Sequence, residues 1–238
     1  MALLLALAAA FSPAPPLAAA DPLTTPTPIC CTPNATVRAI ALSGTTAFIG
    51  GDFTRLGTPT GGFGLLDAAA TLRPGSPAVI GAVHSVVSDG AGGWFLGGTF
   101  TSVGGLPRQN LAHVLSGGGV DPAWAPSTDG DVGTLATLGT TVYAGGGFSL
   151  VNGSAPRASL ALLNASTGAV LAAAPGVLRA DGSQASVSSI VTVPGQAAGA
   201  PAVYVGGTFA KTADGQPRNN LAAFDSDGAT TSENPPPA

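Results

Sequence analysis

A six-residue motif occurs four times in this chain and constrains its fold more than any other feature. The motif has an aromatic residue, an aliphatic residue, two glycines, a variable residue and a phenylalanine. Its closing phenylalanines lie 47, 48 and 61 residues apart, a spacing typical of a repeated and stacked supersecondary unit. The glycines and phenylalanine of the copies are Gly50, Gly51 and Phe53; Gly97, Gly98 and Phe100; Gly145, Gly146 and Phe148; and Gly206, Gly207 and Phe209. The sequence therefore predicts an array of like units.

The segments around the motif also repeat in a constant order. An alternating apolar strand comes first, then the motif, then a Gly-rich turn with Pro-Arg-x-x-Leu and a third strand. The first unit departs from this order, because it has Gly62 where the arginine is due and Leu65 in the place of the leucine. We expect three to four antiparallel strands in each unit. The predicted units cover about residues 37–77, 78–126, 127–175 and 176–230.

The composition favours strands over helices. Of 238 residues, 35 are glycine and 21 are proline, and only 8% are charged, so long helices are hard to build. The apolar share is 45% and periodic, which favours a packed protein over a disordered chain. Since four-stranded propeller blades repeat every ~40–50 residues, we predict an all-β, β-propeller-like array of four repeats. The alternatives are an open stack of β repeats and a fragment of a larger propeller.

The segments that flank the repeats have a different character. Residues 1–20 contain a short apolar run and end in Ala18–Ala20, which predicts an export signal with a small-residue cleavage site. The apolar run is shorter than the ~20 residues that span a bilayer, so we expect no membrane span after cleavage. Residues 21–36 are predicted to be a proline-rich linker, and residues 231–238 a proline-rich tail.

The linker contains the adjacent pair Cys30 and Cys31. Neighbouring Cα atoms lie about 3.8 Å apart across a trans peptide, which is below the usual distance across a disulfide. A bridge between these two residues would therefore be strained. The alternatives are such a strained bridge, bonds to another chain, and two free thiols.

The combined motifs resemble the bacterial delta-60 repeat, a β-propeller-like repeat of secreted and cell-surface proteins. The resemblance rests on Gly-Gly-x-Phe-Thr, the following Pro-Arg-x-x-Leu and a later Asp-Gly or Asp-x-x-Trp, and residues 97–126 show it best. It extends from about Val37 to Thr230. It implies a propeller-like fold and an extracellular or cell-surface setting in a bacterium, and it brings no established catalytic residues. The four units could close into a small four-bladed ring or could pair with another copy of the chain, and the sequence leaves both alternatives open.

The arginine of Pro-Arg-x-x-Leu recurs as Arg108, Arg157 and Arg218. A guanidinium at one position of each unit can donate to carbonyl groups of the next unit through its five N–H donors. The alternative is a ring of cations that receives an anionic glycan or a carboxylate. We favour the structural interpretation.

Candidate catalytic and metal-binding residues are few. Glycoside hydrolysis uses paired carboxylates, and these would be aspartates, which here mostly adjoin glycine or small residues as turn formers do. Asp225 and Asp227 form a weak calcium candidate that lacks a glutamate at the twelfth loop position. His84 and His113 lie in predicted strands without the ligand spacing of a zinc site. We expect no cofactor.

These observations predict a secreted or cell-surface module that binds a glycan or protein partner or acts as a scaffold. The net charge of −4, with eight scattered Lys and Arg residues, argues against nucleic acid binding. The alternative function is an exported polysaccharide-active enzyme that uses aspartates on the propeller face. We expect recognition in the parts that vary between units, above all the insertion at 194–201 and the turns after each phenylalanine.

Overall fold

The structure is a computed structural model and describes residues 33–43, 46–56, 58–59, 61–67 and 71–232. The predicted export signal, Cys30, Cys31 and most of the linker lie outside these residues, as does the predicted tail beyond residue 232. Within the described ranges the chain forms strands, turns and bridges and no helix, so the all-β prediction is confirmed. A helix long and apolar enough to cross a membrane is accordingly not found in this part of the chain.

The strands of the described residues follow one another in a regular order along the chain. In chain order they are β1 (Val37–Ser43), β2 (Thr46–Gly51), β3 (Arg55–Leu56), β4 (Thr58–Pro59), β5 (Gly61–Leu66), β6 (Val79–Ser88), β7 (Trp94–Val103), β8 (Leu106–Pro107), β9 (Leu111–Val114), β10 (Asp131–Leu138), β11 (Thr141–Gly147), β12 (Leu150–Val151), β13 (Ala155–Pro156), β14 (Leu160–Asn164), β15 (Val177–Leu178), β16 (Ser186–Thr192), β17 (Val203–Thr208), β18 (Lys211–Thr212) and β19 (Leu221–Phe224).

Most of these strands belong to four three-stranded antiparallel meanders, which we call units 1 to 4. Unit 1 is β1-β2-β5, unit 2 is β6-β7-β9, unit 3 is β10-β11-β14 and unit 4 is β16-β17-β19. Two parallel residue pairs between β5 and β6 join units 1 and 2 into one seven-stranded sheet, which also includes β8. Beyond each third strand, one residue adds an isolated antiparallel bridge as the start of a fourth strand. These bridging residues are Leu72, Val120, Val170 and Thr230.

A β-bulge recurs in the first strand of every unit, opposite the second glycine of the motif. The register shifts between Val37 and Ala39 in unit 1, and at the matching place in the other three first strands. A Cβ atom on the second glycine would fall on a backbone carbonyl oxygen at this bulge, for example that of Ala82 at Gly98. The second glycine is therefore required by the geometry of its own unit.

The first glycine of the motif faces the next unit instead. A Cβ atom on Gly97 would lie 2.7 Å from Cγ1 of Val132 and 3.1 Å from Cγ of Leu135, both in unit 3. Val83 and Val86 cover Gly50 in the same way, and Val187 and Ile190 cover Gly145. Aliphatic side chains of the next first strand thus occupy the space that the glycine leaves.

The hydrophobic core lies in the layers between consecutive units. The motif aromatics Phe48, Phe95 and Tyr143 are buried there, each in a cluster that combines residues of two neighbouring units. The closing phenylalanines of all four motifs are also buried. Each unit therefore depends on its neighbour to bury one face of its sheet.

The packing runs from each unit to the next along the chain. Strands β1 and β2 pack on β6, β6 and β7 pack on β10, and β10 and β11 pack on β16. Among the described strands, no packing of comparable extent joins unit 4 to unit 1, and none of the sheets closes on itself. The described residues thus form an array of four consecutive units with two free ends.

The register of the third strand of unit 1 differs by two residues from the one that the sequence repeat predicts. Phe63 pairs with Gly50, as Leu111 pairs with Gly97, so Phe63 rather than Leu65 occupies the leucine position. Gly62 allows a close approach here, because a Cβ atom on it would lie 2.6 Å from the carbonyl oxygen of Gly81. The prediction that Gly62 replaces the arginine is therefore wrong, and that position falls on residue 60, outside the described ranges.

Candidate functional site

The three recurrent arginines donate hydrogen bonds to backbone carbonyl groups near the ends of their own units. In each, Nη1 donates to the carbonyl of the preceding proline at 2.7 or 2.8 Å. Nη2 donates to a carbonyl 13 or 14 residues further along, at 2.7 to 3.0 Å. The second acceptors are Asp121 for Arg108, Leu171 for Arg157 and Thr231 for Arg218. We predicted acceptors in the next unit, and this detail is wrong because the closing segment of the same unit lies nearer.

The arginines differ in how much of the side chain reaches solvent. Arg108 and Arg218 are buried, with 8% and 7% of their surface exposed, whereas Arg157 is half-buried. The Nε atom of each is buried without a hydrogen-bond partner among the described residues. Each guanidinium therefore ties the start of the third strand to the segment that ends the unit.

Two small clefts border these guanidinium groups. Arg108 lines a cleft of about 240 Å³ together with Thr101, Gln109 and Ser127. Arg157 lines a cleft of about 380 Å³ between units 3 and 4 that also includes Gln184. The clefts are not equivalent, since most of their other lining residues differ between the units.

A larger groove lies where the insertion at 194–201 folds against unit 3. Its volume is about 450 Å³. One wall is the turn that joins β10 to β11, the second is the insertion, and the third is the polar turn after β19. The residues of the groove with polar side chains include Thr140, Thr141, Gln196, Ser226 and Asp227. This groove is thus built partly from a segment that the other units lack.

Tyr143 forms the floor of the groove and holds two of its walls together. The ring is buried, and its hydroxyl donates a hydrogen bond to the carbonyl of Ser226 at 2.9 Å. Burial, followed by the negative charges of Asp227 and Asp225, raises the pKa of Tyr143 to about 12. The hydroxyl therefore stays protonated at neutral pH and keeps donating to the polar turn of unit 4.

An Asp-His-Asp cluster lies in unit 2. Nε2 of His113 is 3.0 Å from a carboxylate oxygen of Asp89, and Nδ1 is 3.0 Å from one of Asp121. The imidazole also stacks on Phe95, with ring centroids 4.5 Å apart. Sequence reasoning missed the cluster because its two carboxylates lie 24 residues before and 8 residues after the histidine.

The carboxyl groups of this cluster are held in the charged form. Burial raises the pKa of Asp89, but hydrogen bonds from His113 and from the backbone N–H groups of Ala91 and Gly93 outweigh it, so the pKa is lowered. The pKa of Asp121 is lowered by the same balance, with burial opposed by hydrogen bonds from His113 and the backbone. The cluster joins the third strand to the turns on both sides of it, and it is enclosed rather than presented to a ligand.

Other aspartates hold turns through their carboxylates. Asp129 accepts hydrogen bonds from the backbone N–H groups of Ser149 and Leu150, and Asp225 accepts from those of Asp227 and Ala229. Within the described ranges, no group of three or more His, Cys, Asp or Glu side chains is placed to hold a metal ion. The calcium candidate is thus a pair of carboxylates on one turn, of which Asp225 already serves the turn itself.

The remaining predicted site residues are separate from one another. His84 lies in the bulge of β6, and its Nε2 is 3.5 Å from Oγ1 of Thr99 in the same unit. The motif glycines and phenylalanines lie in the junctions and bulges described above and contribute no polar side chain. The groove beside the insertion is therefore the candidate binding site.

Comparisons with known proteins return only structural likenesses. No family model matches the sequence, and no curated protein matches it. The computationally designed Ika4 protein is similar at a TM-score of 0.46 and 13% identity, over 81% of this chain and 92% of that protein. The computationally designed Ika8 protein is similar at a TM-score of 0.35 and 12% identity, over 82% of this chain and 70% of that protein.

Proposed function

We propose that this chain is a secreted or cell-surface β-propeller-like repeat protein that acts as a binding or scaffold module. Four units with the same meander, the same bulge and the same direction of packing support their interpretation as propeller blades. The resemblance of the motifs to the delta-60 repeat supports the extracellular or cell-surface setting in a bacterium. The groove beside the insertion at 194–201 is the observation that carries the binding function.

The lining of this groove suits a neutral ligand rich in hydroxyl groups, such as an oligosaccharide. Threonine hydroxyls, the Gln196 amide and one carboxylate offer both donors and acceptors. The groove is of the size typical of small-ligand sites. The hydrogen bond from Tyr143 to Ser226 fixes the floor and one wall of the groove, which lowers the ordering entropy that binding costs on that side.

A glycan panel tests this function. The purified protein is incubated with immobilised neutral oligosaccharides, and both retention and released products are measured. We expect retention by the wild-type protein and by Gln216→Ala, which changes an exposed glutamine on a different turn. We expect at least about tenfold weaker binding by Gln196→Ala, which corresponds to about 1.4 kcal/mol. No retention by the wild type overturns the proposal, and product release replaces it with the polysaccharide-active enzyme.

Export is tested separately by expressing the full reading frame in a bacterial host. We expect the protein in the culture medium or at the cell surface, with Asp21 as its first residue. Intracellular protein that retains Met1 would refute the proposed location and leave the groove proposal untouched.

A further inference from the structure

The two ends of the array expose the two halves of a junction that forms three times inside the chain. One half is the face with the first glycine of the motif, which we call the glycine face. The other half lies on the first strand of the following unit, where two aliphatic side chains cover that glycine, and we call it the aliphatic face. Inside the chain, units 1, 2 and 3 use their glycine faces and units 2, 3 and 4 use their aliphatic faces. The aliphatic face of unit 1 and the glycine face of unit 4 are left over.

Ile40 identifies the free aliphatic face. It pairs with the residue just before the first glycine of its motif, as Val86, Leu135 and Ile190 do in their units. These three equivalents are covered by the preceding unit and are 9%, 7% and 8% exposed, whereas Ile40 is 68% exposed. Leu42, two residues further along the same strand, is 72% exposed. Unit 1 thus presents a ready aliphatic face with nothing packed on it among the described residues.

Gly206 identifies the free glycine face. A Cβ atom there would lie 3.9 Å from its nearest neighbours, Ser189 and the Asn220 carbonyl, which both belong to unit 4. Leu221 is 38% exposed on the same face, although its equivalents Leu111 and Leu160 are fully buried. Among the described residues, nothing fills at Gly206 the space that an aliphatic pair fills at the other three glycines.

A polar contact of the junction is also left unused in unit 4. The residue before the third strand has a left-handed backbone in units 2, 3 and 4, at Asn110, Ser159 and Asn220. Asn110 donates to the Gly130 carbonyl of unit 3 at 2.8 Å, and Ser159 donates to the Ala185 carbonyl at 3.0 Å, just before the first strand of unit 4. The amide nitrogen of Asn220 instead donates to the carbonyls of Gly207 and Phe209 in its own unit, at 3.1 and 3.2 Å. Among the described residues, this side chain therefore makes no contact with a further unit.

We propose that the glycine face of unit 4 binds the aliphatic face of unit 1 of a second copy of this chain, head to tail. The occupant must match the internal junctions, and unit 1 carries the required residues, Val37 and Ile40, at the required register. Within one chain, the described strands of unit 1 do not pack on unit 4, so both end faces are free to bind and the proposed occupant is another copy. Such a contact joins two different surfaces, and it closes a ring of two copies or extends into a longer assembly.

Sedimentation velocity over a concentration series, in reducing buffer so that Cys30 and Cys31 form no link, tests the proposal. We expect the wild type to associate as its concentration rises to about 100 µM. Ile40→Glu should weaken association at least about tenfold, because it places a charge in an apolar junction. The matched control Ile80→Glu changes an isoleucine of unit 2 that is 66% exposed and lies outside both faces, and it should associate like the wild type.

A mixing experiment then tests the head-to-tail direction. Val191→Glu places a charge beside the glycine face of unit 4, at a residue that is 57% exposed. Each variant alone should be monomeric at a concentration where the wild type associates. Ile40→Glu retains an intact glycine face on unit 4, and Val191→Glu retains an intact aliphatic face on unit 1. Their mixture should therefore form one-to-one dimers. Circular dichroism and the melting temperature establish that each variant is folded.

Three results would overturn the proposal. They are a wild-type protein that stays monomeric across the series, an Ile40→Glu variant that associates like the wild type, and a mixture that contains no dimers. None of them bears on the oligosaccharide groove, which lies at the turns of units 3 and 4.

Discussion

The junction between units 2 and 3 and the free face of unit 4 are built from nearly the same motif but have different surroundings. At the junction, Gly97 lies under Val132 and Leu135, while on the free face no described residue of another unit lies near Gly206. The second glycine is enclosed at both places, because the bulge of its own unit lies against it. One motif thus serves two purposes, a bulge inside each unit and a junction between units, and the two can be separated by mutation.

The largest effect is expected at the second glycine, wherever it lies. Gly98→Ala and Gly207→Ala would each place a methyl group on a backbone carbonyl oxygen of the same unit, which can move only if the bulge is lost. We expect each variant to lose at least about 3 kcal/mol of unfolding free energy, measured by urea denaturation. A Gly207→Ala variant as stable as the wild type would show that the bulge in unit 4 is adaptable and that the second glycine does not have the same role in units 2 and 4.

The first glycine should distinguish the two regions. Gly97→Ala would crowd Val132 and Leu135, which can shift slightly, so we expect a loss of about 2 kcal/mol. Gly206→Ala meets open space, and we expect stability within about 0.5 kcal/mol of the wild type. Both are measured at a protein concentration too low for association. Equal losses at the two positions would mean that something covers Gly206 in solution even in the monomer.

Removal of the recurrent arginine should destabilise both an inner and an end unit, because each guanidinium donates to carbonyl groups of its own unit, and the loss should be larger where the side chain is more buried. Arg218→Ala removes hydrogen bonds to the carbonyls of Pro217 and Thr231 and should cost about 2 kcal/mol. Arg157→Ala should cost about 1 kcal/mol, since this side chain is half-buried. Lysine at either position should recover only part of the loss, because it lacks the planar fork of donors. Unchanged melting temperatures with lost binding of an anionic glycan would instead favour a ligand site.

The smallest effect is the pH dependence of unit 2. The pKa values of Asp89 and Asp121 are lowered in the folded protein, so their stabilisation is complete above the unfolded value of about 4 and is lost as the pH falls through the folded values. We expect the melting temperature to decline below about pH 4. His113→Gln should flatten this decline, because both carboxyl groups lose a hydrogen-bond donor. An unchanged slope in that variant would assign the acid sensitivity to other carboxyl groups.

Much of the fold could be predicted from the sequence because the repeat is strict where backbone geometry is demanding. The paired glycines predict the second strand of every unit, and the residues beside them face alternate sides of the sheet, as in any β-strand. The register of unit 1 could not be predicted, since it depends on how closely Gly62 approaches the Gly81 carbonyl. The arginine acceptors were also missed, because the closing segment of a unit folds back onto its own third strand.

The candidate site was harder to predict than the fold. The insertion at 194–201 was recognisable as a departure from the repeat, but its groove depends on two turns about 85 residues apart in sequence, as the Tyr143 bond to Ser226, 83 residues away, illustrates. The Asp-His-Asp cluster likewise joins residues that no local pattern connects. Sequence periodicity therefore predicts which strands are neighbours, but it does not predict polar contacts between residues far apart in the sequence.

The recurrence of one junction has a consequence for how this chain can change in length. Because Val132, Val187 and their partners meet a glycine in the same way, deletion of a whole inner unit would bring Val187 onto Gly97 with no change of either surface. Duplication of a unit would likewise place an aliphatic pair on a motif glycine at the new boundary. Gene rearrangements that add or remove complete units therefore keep this apolar contact without changing its residues, whereas a break inside a unit would leave a bulge without its glycine.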